Sequence, residues 1–171
     1  ILSKAIGIVL IPLYTKLISV DQFGIYAIFE VTIQLSQGVL HFGLPNALFK
    51  WLSDEKFENK KSNILFTTLV SILIISTIII VPVIFLKEQL SIFALNDISY
   101  KDCFMVTAIL IGIRLLNNLT LSYIRFKEKS IFYVISTTGQ FLIQLLATIY
   151  FIVYLEFGIL GILLGRLCGE L

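Results

Sequence analysis

Charged residues are scarce in this sequence. Asp, Glu, Lys and Arg make up 14% of its 171 residues, whereas a soluble domain contains about 25%. Apolar residues reach 58% and the mean hydropathy is +0.98. A soluble core of this size cannot bury several long runs of apolar residues, because helices that are apolar on every side need a large interior or lipid. The composition therefore predicts an all-α integral membrane protein.

Cysteine and histidine are almost absent, with two cysteines and one histidine. Cys103 and Cys168 lie far apart in apolar stretches and form no C-x-x-C motif, so the sequence predicts neither a disulfide framework nor a metal site. We expect both to act as small apolar residues in helix packing. The motifs H-E-x-x-H and G-x-S-x-G, a phosphate-binding glycine loop with Lys and an acidic Mg²⁺ cluster are also missing. We therefore expect no catalytic residues, no cofactor and no enzymatic activity.

Six apolar segments, separated by five charged or turn-rich breaks, predict a bundle of transmembrane helices. Each complete segment is long enough to cross ~30 Å of hydrocarbon at about 1.5 Å per residue. The sequence begins at Ile1 and ends at Leu171 within apolar stretches, so we expect the first and last segments to be truncated. The predicted helices are residues 1–17, 24–49, 63–86, 103–124, 131–155 and 158–171.

Turn and capping signals agree with these boundaries. Ser19 to Gln22 has the pattern of a capping box ahead of the second helix. Pro12, Pro45 and Pro82 lie within apolar segments, where prolines often mark a bend.

The distribution of Lys and Arg between the loops predicts the orientation. The second and fourth loops carry seven basic residues and the odd-numbered loops three. Because positive loops remain in the cytoplasm, the even loops and the N-terminus are predicted to be cytoplasmic. The residues counted are Lys50, Lys56, Lys60, Lys61, Arg125, Lys127 and Lys129 in the even loops, and Lys16, Lys87 and Lys101 in the others.

The second segment carries a polar stripe of Glu30, Gln34, Gln37 and His41, spaced by four, three and four residues. This spacing places them on one face of a helix. A carboxylate within the bilayer must be protonated, paired with a cation or hydrated. Glu30 is therefore either a group that couples transport to an ion gradient or the counter-charge of a Lys or Arg. His41 is either a packed histidine or a proton relay.

Two further segments have polar faces, which we expect to line a water-filled cavity or to join helices through hydrogen bonds. These faces contain Thr107, Arg114, Asn118 and Arg125 in the fourth segment, and Tyr133, Thr137, Gln140, Gln144 and Thr148 in the fifth. The third segment has only Ser and Thr as polar groups, each able to bond to its own helix. It is predicted to be a wall that faces lipid.

The two ends of the sequence carry further charges. Lys4 lies within the first span if that span continues upstream, and otherwise extends to the cytoplasmic surface. In the last segment, Arg166 and Glu170 are four residues apart, so they either neutralise one another or Arg166 completes a basic cavity. The same segment contains a ridge of small residues that predicts close helix packing. The ridge consists of Gly158, Gly161, Gly165 and Gly169.

Three stretches resemble polysaccharide-export flippases of the Wzx type, which belong to the MOP superfamily that also contains MATE-like multidrug exporters. They are KAIGIVLIPLYTKLISVDQFG at residues 4–24, HFGLPNAL at residues 41–48 and YIRFKEKS at residues 123–130. The resemblance covers the whole chain in layout. It implies one six-helix lobe, the N-terminal half, of a transporter with twelve to fourteen helices in the bacterial inner membrane, working by alternating access.

This resemblance implies that the chain translocates an undecaprenyl-diphosphate-linked oligosaccharide, with membrane lipids and the C-terminal lobe as further partners and no nucleic acid. Transport would be coupled to a proton or sodium gradient, with Glu30 and His41 as candidates for the coupling group. By position and charge, Lys4, Arg114 and Arg166 are candidates for the diphosphate. Amides are candidates for the sugars: Gln34, Gln37, Asn118, Gln140 and Gln144.

Other functions remain open from the sequence. Within the superfamily the alternative is an exporter of drugs or of peptidoglycan precursors. From other classes the alternatives are a membrane-embedded enzyme that processes glycans and a structural membrane subunit. An enzyme would need an acid, base or nucleophile pair facing one reacting bond, for which one His and one buried Glu are little material.

Overall fold

The computed structural model describes residues 19–171, and all regular structure in this range is helical. The predicted first helix, with Lys4 and Pro12, lies outside the described residues. Four helical stretches are long and apolar enough to cross a membrane: Val20–Ser53, Lys56–Leu95, Ile98–Phe126 and Ser130–Tyr154. We number the α-helices α1 (Val20–Leu40), α2 (Leu44–Ser53), α3 (Lys61–Leu95), α4 (Lys101–Phe126), α5 (Ser130–Ile149) and α6 (Gly158–Glu170). Short 3₁₀ turns at Glu55–Lys60 and Ile98–Tyr100 and a π turn at Tyr150–Tyr154 join some of them.

The start of α1 confirms the Ser19 half of the predicted capping box. The hydroxyl of Ser19 accepts a hydrogen bond from the backbone N–H of Gln22 at 3.3 Å, which satisfies one of the free amides of the first turn. The helix consequently begins at Val20 rather than at residue 24.

The candidate span Val20–Ser53 bends where α1 meets α2. Phe42 and Gly43 have positive φ angles of 44° and 66°, so the helix cannot continue through them. Pro45 follows in the first turn of α2, where its missing N–H leaves no hydrogen bond unmade. The bend predicted near Pro45 is therefore confirmed, and Gly43 supplies the left-handed conformation that it needs.

The third helix is longer than predicted. The break expected after residue 86 is wrong, because residues 87–95 contain neither Gly nor Pro and α3 continues to Leu95. It ends at Asn96, which has a φ of 52° and donates its N–H to the carbonyl of Ile92 at 2.9 Å. Pro82 lies inside α3, which is helical on both sides of it.

Two ion pairs join the end of α3 to the start of α4. Lys87 Nζ lies 3.0 Å from Asp102 Oδ1, and Lys101 Nζ lies 2.8 Å from Glu88 Oε1. In the turn between the helices, hydrogen bonds from Ser99 lower the pKa of the Asp97 carboxyl below its usual value. The segment after residue 86, which was expected to be a loop, is thus part of a helical hairpin that the two ion pairs close.

Helix α4 lies at the centre of the bundle and buries more side chains than any other described helix. Its Phe104 ring packs edge to face on Phe29 of α1, with centroids 5.0 Å apart. Gly112 lies so close to α3 that a Cβ there would be 2.7 Å from the Cδ1 of Ile80 and 3.4 Å from the Cβ of Ser76. Apolar side chains of α1, α2, α3 and α6 join α4 in one core cluster.

That α3 is a wall facing lipid stays a prediction, and part of its surface is exposed. Thr68, Ser71 and Thr77 each donate their hydroxyl to the carbonyl four residues earlier, at 2.7–2.8 Å. Large apolar side chains such as Phe85, which is 82% exposed, point away from the bundle. The stripe of Thr68, Ile72 and Ser76 is buried instead, because this face packs in the bundle.

Helices α5 and α6 form a tight hairpin through the predicted glycine ridge. A Cβ at Gly165 would lie 2.6 Å from the Cα of Thr148, and a Cβ at Gly169 would lie 2.8 Å from the carbonyl oxygen of Gln140. A Cβ at Gly161 would lie 3.2 Å from the backbone of Phe151, a looser but still close contact. Gly158 serves the turn instead, with a φ of 53° at the start of α6. The packing role of the ridge is therefore confirmed for its last three glycines.

Candidate functional site

Polar and charged side chains meet on α6 in two clusters within the bundle. The first cluster joins α6 to α1 and consists of Tyr26, Glu30, Gln34 and Arg166. The second cluster joins α6 to α4 and α5 and consists of Arg114, Asn117, Gln140 and Glu170. Arg166 and Glu170 are one helical turn apart, so the clusters follow one another along α6 with an offset of about 6 Å.

The first cluster is centred on an ion pair between Arg166 and Glu30. Nη1 of Arg166 contacts Oε2 of Glu30, and Nη2 donates to Oε1 at 3.4 Å. The carboxylate also accepts a hydrogen bond from the Tyr26 hydroxyl at 3.3 Å and one from Nε2 of Gln34 at 2.8 Å. Tyr26, Glu30 and Gln34 are spaced by four residues, so a single face of α1 presents all of them to Arg166.

The second cluster repeats this arrangement on other helices. Nε of Arg114 lies 2.7 Å from Oε1 of Glu170, and Nδ2 of Asn117 donates to Oε2 at 2.7 Å. Nε2 of Gln140 donates in turn to Oδ1 of Asn117 at 3.1 Å. Arg114 and Asn117 are three residues apart and therefore share a face of α4.

The charged side chains of both clusters are partly buried. Arg114 is near the middle of α4, about 20 Å along the helix from either end. The side chains of Arg166 and Glu30 are 12% and 24% exposed, and those of Arg114 and Glu170 are 26% and 19% exposed. Charges at such sites are costly unless each has a partner of opposite sign and further hydrogen bonds. Each cluster meets both conditions.

The clusters contain five of the residues that the sequence singled out: Glu30, Gln34, Arg114, Gln140 and Arg166. The predicted alternative in which Arg166 and Glu170 neutralise one another is not the arrangement found, because each of them pairs with a residue of another helix. The other alternative for Arg166, a place in a basic cavity, stays a prediction. Glu30 has the cationic partner that a counter-charge requires, whereas its role in coupling also stays a prediction.

Other predicted residues lie outside the clusters. Asn118 is one position away from the cluster residue Asn117. Gln144 packs against Gly169 across the helix hairpin. In the part of the chain that the structure describes, Nε2 of Gln37 and Nε2 of His41 are buried and make no hydrogen bond. Lys4 lies outside the described residues.

Two residues of the predicted wet faces are packed between helices. Thr107 is 4% exposed and Thr148 is fully buried, so neither lines a cavity. Thr148 contacts Gly165, and small residues are favoured at such close helix contacts. Arg125 lies near the end of α4, where it donates to the hydroxyl of Ser122 at 2.9 Å and stacks over the Tyr133 ring.

The site residues predicted from the sequence do not include three members of the clusters, Tyr26, Asn117 and Glu170. Tyr26 precedes Glu30 by four residues and Asn117 follows Arg114 by three, so helical spacing alone could have placed them in the polar faces. Glu170 was considered only as a partner of Arg166. Across residues 19–171 no three His, Cys, Asp or Glu residues are grouped as around a metal ion.

A scan of protein-family models and searches of curated proteins and solved structures find no match to this chain.

Proposed function

We propose that the chain is the N-terminal lobe of a Wzx-type flippase of the MOP superfamily, which moves undecaprenyl-diphosphate-linked oligosaccharide across the bacterial inner membrane. In this proposal the described helices and the segment at residues 1–17 form six spans, with the N-terminus in the cytoplasm. The observation that carries the proposal is the pair of arginines, Arg114 in a candidate membrane span and Arg166 on α6, each held by a carboxylate with amides nearby.

The chemistry of these side chains suits a lipid-linked diphosphate. Guanidinium groups present several N–H donors in a planar fork that matches phosphate oxygens. Charged residues in a membrane interior are rare and generally mark a transport pathway, because lipid does not solvate them. Gln34, Asn117 and Gln140 lie beside the arginines and offer both donors and acceptors, as hydroxyl-rich sugars require.

A translocation assay with the full-length protein in liposomes tests this function. The substrate is a fluorescent undecaprenyl-diphosphate oligosaccharide, whose appearance in the outer leaflet is followed by quenching. Arg114→Ala should lower the rate at least about tenfold, because loss of one charge-assisted contact typically amounts to about 1.5–3 kcal/mol. The matched control is Arg125→Ala, which removes an arginine from the same helix outside both clusters and should leave the rate within twofold.

Three results would contradict the proposal. The first is a wild-type protein that leaves the lipid-linked sugar in its original leaflet. The second is full activity of the Arg114→Ala variant. The third is export of a cationic dye such as ethidium without any movement of the lipid-linked substrate, which would favour a multidrug exporter.

A further inference from the structure

Both arginines of the candidate site already have a carboxylate partner, and this bears on how an anionic ligand would bind. Resting on the proposed function, we propose that Glu30 and Glu170 are exchangeable counter-ions, which the phosphates of the ligand displace from Arg166 and Arg114. The ligand class is a polyprenyl diphosphate. In the empty site the carboxylates hold the guanidinium groups; in the loaded site the phosphates do so.

Each ion pair already engages a guanidinium group that a phosphate would bind. Nε of Arg114 is occupied by Glu170 at 2.7 Å, and both terminal nitrogens of Arg166 contact Glu30. A diphosphate that approached these arginines would also meet the two carboxylates, whose like charge repels it. The carboxylates therefore compete with a phosphate for the guanidinium groups, and the like charges favour their moving away when it binds.

The neutral members of the clusters make such an exchange feasible. If Arg166 turns toward a phosphate, Glu30 keeps the hydrogen bonds from Tyr26 and Gln34. If Arg114 turns away, Glu170 keeps the hydrogen bond from Asn117, which Gln140 supports. A carboxylate that retains such donors is much less costly to separate from its cation than a bare one.

Exchange gives a transporter a way to release a tightly held anion. Two unpaired arginines in a low dielectric would bind a diphosphate strongly in every conformation. A carboxylate beside each arginine competes with the phosphate. A change in helix packing that favours the ion pairs would therefore expel the ligand. Each guanidinium group thus has two states, one paired with its carboxylate and one bound to phosphate. The carboxylate favours the first state and the ligand favours the second.

The test measures binding of geranyl diphosphate, a short and soluble polyprenyl diphosphate, to the purified full-length protein. Glu170→Gln and Glu30→Gln each keep the shape and the neutral hydrogen bonds but remove the competing charge. We expect each to tighten binding about tenfold, a change of 1.4 kcal/mol, and to slow release of the lipid-linked substrate. The matched control is Glu156→Gln, which removes one exposed charge between α5 and α6 and should leave the affinity unchanged.

Unpaired arginines could also reduce the amount of folded protein, so a second pair of variants is included. Glu30→Asp and Glu170→Asp keep the charge but shorten the side chain, which weakens each ion pair without removing it. Their affinity for geranyl diphosphate should rise severalfold. Thermal unfolding provides an independent measurement, because the ligand should raise the Tm of each glutamine variant more than that of the wild type.

The outcomes separate this inference from the proposed function. Wild-type binding that depends on Arg114 and Arg166, with no gain in the Glu30 or Glu170 variants, would overturn the exchange and leave the flippase proposal standing. Absence of binding in the wild type and in all variants would overturn both. Tighter binding in the control Glu156→Gln as well would assign the effect to overall charge and also contradict the exchange.

Discussion

Helices α3 and α6 provide partners for their polar side chains in opposite ways. In α3 the hydroxyls of Thr68, Ser71 and Thr77 bond to carbonyls of their own helix. In α6 the polar side chains of Arg166 and Glu170 bond to residues of α1 and α4. Helix α3 has the longest apolar stretch of the described helices, yet the charged clusters are on α6 and its neighbours.

The difference lies in what each helix requires of its neighbours. A Ser or Thr that bonds to its own turn remains satisfied wherever the helix is placed. A charged side chain needs a partner of opposite charge at the same level along the neighbouring helix. It therefore fixes the register between the two helices. Substitutions on α6 should consequently disturb the bundle much more than substitutions on α3, and the following predictions are ordered by the size of the expected effect.

The largest effect is expected from Arg166→Ala. The variant leaves the Glu30 carboxylate without its cation at a side-chain exposure of 24%, and breaking a buried pair in this way costs about 3–5 kcal/mol, toward the lower end here because of the exposure. The free energy of unfolding in mild detergent measures the loss. The double variant Glu30→Gln with Arg166→Gln should recover much of it, since neither charge remains. Equal stability of Arg166→Ala and the wild type would show that the ion pair does not hold α1 to α6.

A smaller effect is expected from Gly165→Ala. The added methyl group would lie 2.6 Å from the Cα of Thr148, so the α5–α6 hairpin must open at a cost of about 1–3 kcal/mol. Thermal unfolding should show the decrease in Tm. The control is Gly139→Ala in α5, where a Cβ would meet no atom within 4 Å. That variant should be as stable as the wild type or more so, because Ala favours helix by up to about 1 kcal/mol over Gly. Equal Tm values for the two variants would contradict the close helix contact.

The smallest effect is expected from Thr77→Val on α3. The hydroxyl of Thr77 bonds only to the carbonyl of Leu73 within the same helix, and Val has nearly the same shape. The free energy of unfolding should change by less than about 0.5 kcal/mol, as for other substitutions on an exposed surface. A loss comparable to that of Gly165→Ala would show that this face of α3 packs on another part of the protein rather than on lipid.

The sequence was sufficient to predict much of the helical layout. Apolar runs identified the spans, Ser19 marked the start of α1 and helical spacing placed Glu30 and Gln34 on one face. These features depend on residues close together in the chain. The continuation of α3 beyond residue 86 was missed because charges at Lys87 and Glu88 resemble the end of a span, although they are compatible with helix.

The partners within the site could not be predicted in the same way. Arg166 and Glu170 are suitably spaced to pair with each other, and only the packing of α6 between α1, α4 and α5 assigns them to Glu30 and Arg114. Likewise, Asn117 and Asn118 are the same type of residue. They differ in the direction in which their side chains project from α4, and Asn117 bonds to Glu170. Such choices depend on the rotation of each helix in the bundle, which hydrophobic periodicity defines only to within a broad arc.

Because α3 is long, a small tilt of this helix moves the hairpin at its end over a large distance. From Lys61 to Leu95 the helix measures about 52 Å, well beyond ~30 Å of hydrocarbon. The ion pairs of Lys87 and Lys101 with Asp102 and Glu88 brace its end against α4. A tilt of only about 10° about the far end would displace the tip by roughly 9 Å. A spin label or fluorophore at Asn96 would therefore convert small reorientations of α3 into distance changes that are readily measured.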